Sequence, residues 1–169
     1  MVKPTIEKLS ASHTAQDFDC GKPELNRFLI KHALQSQQSN SATTYVACKE
    51  NKIIGYYSLA VGAVEHKETP ERIKKGLSKH PVPLMILARL AVDRSEQDKG
   101  IGKGLLKDAL LRTAQAADIA GIRALVIHAK DDEAGAWYGQ FDCDPSPTDP
   151  LHLYLLIKDI KKILEEAGD

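Results

Sequence analysis

The chain has no net charge, only three cysteines and no long apolar run. Lys and Arg total 23 of its 169 residues and Asp and Glu also total 23, so no global field draws it to nucleic acid and any such contact needs a local patch. Cys20, Cys48 and Cys143 are scattered, odd in number and without C-x-x-C spacing. That argues against a disulfide framework or a zinc site and for a reducing compartment. The N-terminus has no secretory-signal pattern, and no apolar stretch reaches membrane-spanning length, so a cytoplasmic protein with no membrane partner is expected. Internal repeats and low-complexity segments are also missing. At 43% hydrophobic and 27% charged residues, the composition is globular, and the length suits a single domain over residues 1–169.

The organising stretch runs from Pro81 to Gly104, PVPLMILARLAVDRSEQDKGIGKG. Leu84 to Val92 is an apolar run of a length that fits a strand buried on both faces. A polar turn, Asp93 to Lys99, follows. Gly100, Gly102 and Gly104 come next, and then Leu105, Leu106, Ala109, Leu110, Thr113 and Ala117 recur at helical spacing. Strand, glycine-rich turn and helix in that order let backbone approach a ligand, and free N–H groups at the helix start favour an anion. The spacing is not that of a Walker A loop, and the G-x-G-x-G pattern is not the dinucleotide fingerprint.

Around this stretch, Thr5 to Leu9 reads as a first strand. Pro23 opens a helix running into Gln35–Asn40, with Leu25, Phe28, Leu29, Ala33 and Leu34 on its core face. Thr43–Cys48 and Ile53–Val61 form a hairpin about Asn51-Lys52. Glu65 to His80 is a charged insertion in which Thr69 is expected to cap a helix with Pro70 in its first turn; Arg72, Lys74, Lys75 and Lys79 make it locally basic. Ala124–Ala129 is an apolar strand. Asp131, Asp132 and Glu133 suit the start of a short helix to Phe141. Pro145, Pro147 and Pro150 rule out helix in the next segment. A last strand, Leu151–Ile157, and a terminal helix through Glu166 complete a mixed α/β chain with one main sheet.

Gln97-Asp98-Lys99-Gly100-Ile101-Gly102 resembles the Q/R-x-x-G-x-G/A pyrophosphate loop of the GCN5-related N-acetyltransferases (GNAT). Phe18-Asp19-Cys20-Gly21, Leu25–Leu29, Gly55–Leu59, Pro81–Pro83 and Arg89–Val92 extend the resemblance to the toxin branch of that superfamily, from about Phe18 to about Leu156. The resemblance implies the GNAT fold, a splayed mixed sheet flanked by helices, and a toxin that moves acetyl from acetyl-CoA to the α-amine of an aminoacyl-tRNA. It also implies a ribbon-helix-helix antitoxin, a homodimer, and operator DNA reached only through the antitoxin.

By the same resemblance, Leu90, Ala91 and Val92 would hold the pantetheine arm through main-chain groups, a strand-like ligand on an open edge. Gln97, Asp98, Lys99, Gly100, Ile101, Gly102, Lys103 and Gly104 would hold the pyrophosphate, and Trp137 would lie by the cofactor. Tyr138, in Ala134–Phe141, stands where the family's A-x-x-F-Y-x-x-F-G-F places the tyrosine that protonates the leaving thiolate; a phenol near pKa 10 is protonated at neutral pH. Asp142 replaces the usual helix-ending Gly and tolerates the left-handed conformation less readily. Cys143 replaces an aromatic residue and is expected to loosen packing. Arg72, Lys74, Lys75 and Lys79 are candidates for tRNA phosphates, against their ordinary role as a solvated face. Arg89 sits inside the apolar run, where an arginine must be paired or reach an exposed end; it is read either as a structural ion pair or as a contact near the substrate. His128 ends a strand, where a lone histidine is more often a hydrogen-bonded structural residue than a base. A free α-amine near pKa 8 leaves a neutral fraction without one. No metal is expected. Two alternatives stay open: the same chemistry on a small amine or protein N-terminus, and a non-enzymatic co-repressor module that binds the antitoxin.

Overall fold

Glu50 and Asn51 take positive φ, 50° and 72°. Two left-handed residues in succession match the twist of the strands they join, and they close the hairpin between β2 (Thr43–Lys49) and β3 (Lys52–Val64). The computed structural model describes residues 4–77 and 80–167; the Lys79 assignment lies outside them.

Strand β1 (Thr5–Lys8) pairs antiparallel with β2, and β2 with β3. Strand β4 (Val82–Val92) pairs parallel with β5 (Ala124–His128). Strands β6 (Asp144–Pro145) and β7 (His152–Leu156) complete the set; β7 is antiparallel to both β5 and β6. The resulting seven-stranded mixed sheet has the order β1-β2-β3-β4-β5-β7-β6. Helices α1 (Pro23–Arg27), α2 (Ala33–Gln38), α3 (Glu71–Lys74), α4 (Ile101–Ile119), α5 (Asp132–Gly139) and α6 (Ile157–Ala167) fill the connections.

The chain divides into two compact units: Met1–Ala60 with Arg89–Ala109, and Val61–Ala88 with Leu110–Asp169. The first has a core of Phe18, Phe28, Leu29, Ala33, Val46, Ile53, Tyr56 and Ala91. Tyr56 is its hub. Its ring meets Phe18 edge-on and stacks with Phe28, and its hydroxyl donates to the Leu25 carbonyl at 2.7 Å. The core of the second unit is Ile73, Val82, Leu84, Ala124, Val126, Tyr154 and Leu156.

Four readings of the sequence need amending. The helix expected from Pro23 onward is interrupted by a π turn, Phe28–His32, between α1 and α2. Strand β4 is buried at Val82, Leu84, Met85, Leu87 and Ala91, but Ile86, Ala88, Arg89, Leu90 and Val92 are half-exposed, so only its first half approaches burial on both faces. Thr69 is not the cap of α3. Its buried hydroxyl donates to the His66 carbonyl at 2.8 Å, and Pro70 occupies the cap position. Finally, the proline segment begins with a short strand, since Asp144–Pro145 pairs with Tyr154 and Leu153.

Gly55 of β3 is a point of close approach. A methyl group there would lie 3.0 Å from the Leu105 Cδ1, 3.2 Å from the Ala91 carbonyl oxygen and 3.3 Å from the Ile101 Cγ2. The backbone oxygen cannot yield as a side chain can, so Gly55→Ala is expected to lower unfolding free energy by about 1–3 kcal/mol, as overpacking does. Urea denaturation checks this; an unchanged midpoint would show that α4 shifts freely.

Candidate active site

In the first unit, Asp93 anchors the segment that follows β4. Its N–H donates to the Ile54 carbonyl at 2.8 Å. Its buried carboxylate accepts the N–H of Asp19 at 2.9 Å on one oxygen, and the N–H and hydroxyl of Ser95 at 3.1 and 2.7 Å on the other. Burial raises this carboxyl, but the Asp19 and Ser95 donors outweigh it and hold the group below its ordinary value. Asp19 returns the contact by accepting the Arg94 N–H on its carbonyl at 2.8 Å. Its own side chain closes a turn by accepting from the Gly21 N–H and the Asn26 amide, each at 2.9 Å.

Gln97 completes the link. Its side-chain amide donates to the Val92 carbonyl at 2.9 Å and the Cys20 carbonyl at 3.1 Å. The Phe18–Gly21 turn and the loop after β4 are thus bound at several points. Asp98 and Gly100 then take left-handed φ of 64° and 84°, and α4 begins at Ile101. Its first closing bond runs from the Gly104 N–H to the Gly100 carbonyl at 3.1 Å. The N–H groups of Ile101, Gly102 and Lys103 precede that bond and have no partner within the helix, the arrangement that takes an anion. A side chain at Gly104 would meet no protein atom within 4 Å, so the chain's own packing does not demand that glycine.

The loop's two lysines differ. Lys99 pairs with Glu96 at 2.9 Å, and Glu96 also accepts from Lys49; Lys49 and Lys99 hold the Glu96 carboxyl low. Lys103 is exposed and has no ion pair among the described residues. On β4, pairing with β5 ends at Leu87↔Ile127 while the strand continues to Val92. Leu90, Ala91 and Val92 therefore extend past the paired stretch. Arg89 has no carboxylate partner among the described residues. Its guanidinium lies 3.7 Å above the centre of the Phe28 ring, so a cation–π contact replaces the expected ion pair.

In the second unit, Asp131 caps α5 by accepting the Ala134 N–H at 2.9 Å. Tyr138 on this helix is 5% exposed, and burial pushes its phenol well above the ordinary tyrosine range. The hydroxyl makes no hydrogen bond to any described residue. Trp137 meets Tyr138 and Phe141 edge-on, at 5.0 and 5.3 Å between ring centres. Asp142, three residues past the end of α5, takes φ 59°, the left-handed conformation that glycine would supply. Cys143 does not loosen this end: its thiol donates to the Tyr138 carbonyl at 3.5 Å, and burial pushes it up to about 12.

The basic insertion is less free than its composition suggests. Arg72 pairs with Asp159 at 2.6 Å and Asp144 at 3.5 Å, and Lys74 lies 3.8 Å from Glu71. Lys75 has no ion pair among the described residues. Glu7, His13 and Cys48 bring three ligand-type atoms within 4.8 Å of one another. Both His13 nitrogens are already engaged, however, one by the Ser10 N–H at 2.9 Å and the other by Glu7 at 2.8 Å. Sequence reasoning missed Asp19, Asp93 and Glu96. The one available signal was an Asp-x-Gly turn in Asp19–Gly21 and acids flanking the loop.

Among the described residues no helix is long and apolar enough to cross a membrane. Residues 40–142 match the acetyltransferase (GNAT) domain family. A tRNA-acetylating toxin of Mycobacterium tuberculosis is 43% identical over 157 residues, covering 93% of this chain and 94% of the relative. The structure of AtaT complexed with acetyl-methionyl-tRNAfMet superposes with a TM-score of 0.87 at 28% identity, covering 95% of this chain and 98% of that one. A tyrosine-to-phenylalanine AtaT variant, bound to the C-terminus of the antitoxin AtaR and acetyl-CoA, gives 0.84 at 27% identity, with 96% and 99% covered. The chain belongs to the GNAT acetyltransferases.

Proposed function

We propose that this chain is the toxin of a type II toxin–antitoxin pair and transfers acetyl from acetyl-CoA to the α-amine of an aminoacyl-tRNA, which stops translation and growth. The observation that carries this is the 43% identity to a tRNA-acetylating toxin over nearly the whole of both chains. The whole chain acts as one catalytic domain in the cytoplasm, as a homodimer. A ribbon-helix-helix antitoxin neutralises it, and operator DNA is reached through that antitoxin. The AtaT variant solved with the antitoxin's C-terminus supports this partner.

The division of labour follows from the groups present. The N–H groups of Ile101, Gly102 and Lys103 and the Lys103 ammonium hold the pyrophosphate of acetyl-CoA, with Gln97 and Asp93 fixing the loop that carries them. The pantetheine amides pair with the open edge of Leu90–Val92, and an N–H near Leu90 polarises the acetyl carbonyl. Tyr138 protonates the departing thiolate. Burial holds its phenol in the protonated form at neutral pH. With Arg72 committed to two carboxylates, Lys75 and Arg89 are left as the candidate contacts for tRNA phosphates. That commitment also favours a second reading, the same chemistry on a small amine.

With radiolabelled acetyl-CoA and total charged tRNA, label is expected in charged but not deacylated tRNA. Tyr138→Phe is expected to reduce the rate about 100-fold or more and to abolish growth arrest on expression. Label confined to small amines would overturn the tRNA reading. Asp93→Ala should weaken acetyl-CoA binding roughly tenfold by calorimetry, because it leaves the Asp19 and Ser95 donors unpaired; unchanged affinity would show that the loop holds its shape without it. Lys75→Glu should slow transfer to tRNA in a salt-dependent way while leaving a small amine acceptor unaffected. Arg72→Gln should chiefly lower the melting temperature.

A further inference from the structure

The sequence offers no base for the attacking amine unless His128 serves, and the structure shows that His128 is not the lone, hydrogen-bonded histidine usually found at a strand end. It is the last residue of β5, directly opposite His152 of β7 in the antiparallel register. The two rings stack with centres 4.2 Å apart at 17°. Behind them, His152 lies 3.4 Å from the Asp149 carboxylate in the turn before β7. His128 makes no hydrogen bond to any described residue, and its nitrogens are not among the sealed, unpaired atoms of the interior. Its ring is therefore positioned by stacking while its nitrogens stay available.

The same end of β5 leads into the Tyr138 helix. Ala129 follows His128 and donates its N–H to the Leu151 carbonyl at 2.8 Å. Gly135 of α5 packs at the same place, since a methyl group on it would lie 3.4 Å from the Leu151 Cδ2 and 3.9 Å from the Ala129 Cβ. His128, His152 and Tyr138 are thus carried by a strand end, its neighbour and the helix that leaves it. Burial and the neighbouring His152 lower His128 from its ordinary value, with Asp149 opposing. His128 is thereby biased toward its neutral form, the form that accepts a proton.

We propose that His128 takes the proton from the attacking amine, with His152 and Asp149 as positioning residues behind it; this rests on the acetyl-transfer reading above. Two protons leave the nitrogen as R–NH3+ becomes the amide. The first passes to His128, which becomes imidazolium and releases the proton to solvent. The free amine then attacks, the N–C bond forms and the C–S bond breaks. The second nitrogen proton leaves as the C–S bond breaks and passes through solvent to the Tyr138 phenolate, replacing the one that Tyr138 gives to the thiolate. The electrostatics suit this cycle, because the carboxylate of Asp149 moderates the charge of the imidazolium that forms, while stacking on His152 makes it short-lived.

The test is the pH dependence of label transfer from acetyl-CoA, from pH 5.5 to 8.5, in the full chain. His128→Gln is expected to lose up to about tenfold in rate at pH 7, the excess of protonated over neutral amine for a group near pKa 8, to keep its acetyl-CoA affinity by calorimetry, and to regain rate as pH rises and the amine loses its proton unaided. Added imidazole should restore part of the rate to His128→Ala. His152→Gln removes one of the influences that lower His128, so the acid limb should move to higher pH. A wild-type rate in His128→Gln across the whole range would overturn the proposal. So would a loss accompanied by weakened acetyl-CoA binding, with neither alkaline recovery nor imidazole rescue, which marks a structural role. Should the wild-type chain label a small amine and not charged tRNA, the tRNA reading falls; the same pH series on that amine still decides for or against His128.

Discussion

Two hydrogen bonds from the Gln97 side chain, to the carbonyls of Val92 and Cys20, underlie what the first unit can do. An anion site built from backbone N–H groups has no side chain that can swing to meet its ligand, so the peptide planes themselves must be held. Gln97 supplies one restraint, the buried Asp93 carboxylate another, and the contact of Gly55 with Ala91, Ile101 and Leu105 a third. The first two tie the loop to the Phe18–Gly21 segment, and the third holds the helix that follows it against β3. The glycine pattern makes approach possible, and the surrounding polar bonds make it reproducible.

The second unit solves a different problem. It buries a phenol and leaves its oxygen without a hydrogen bond to any described residue. Helix α5 achieves this from its ends: Asp131 fixes the start, and the left-handed Asp142 with the Cys143 thiol fixes the finish. The residues that depart most from the family pattern are thus the ones that hold the tyrosine helix. Nearby, one charge of the insertion is tied to other elements, though it stays half-exposed. Arg72 ties α3 to β6 and α6, so a stretch that looks like an electrostatic surface serves partly as a surface brace.

What could be read from the residues alone was local. The hairpin, the glycine loop with its helix, the acid-capped start of α5 and the terminal helix all have signals within a few positions of one another. What escaped was decided by distant partners. Arg72 finds Asp144 and Asp159 far along the chain. Arg89 finds an aromatic face, which leaves no periodic trace. Phe28 stacks on Tyr56 and under Arg89 in the π turn, a local widening that propensity does not foresee. Thr69 has the composition of a cap but is buried and bonds backward within its own turn. His128 looks solitary in the sequence because its partner lies on another strand. Of the candidate site, the loop and the tyrosine were legible through the family motif, whereas the polar frame around them was not.

A protein that handles a thioester also risks being acylated by it, since thiolates exchange with thioesters readily. The three thiols of this chain are guarded against that. Burial raises Cys20, lifts Cys48 to about 11 and Cys143 to about 12. At neutral pH only about one Cys48 side chain in ten thousand is a thiolate, and the thiolate is the reactive form. Cys143 lies closest in sequence to the tyrosine that would serve the leaving sulfur, and its proton is spent on a backbone carbonyl. The chain can therefore hold an activated acyl group and keep its own sulfur atoms out of the competition for it, so that self-acylation does not drain the donor before an amine arrives.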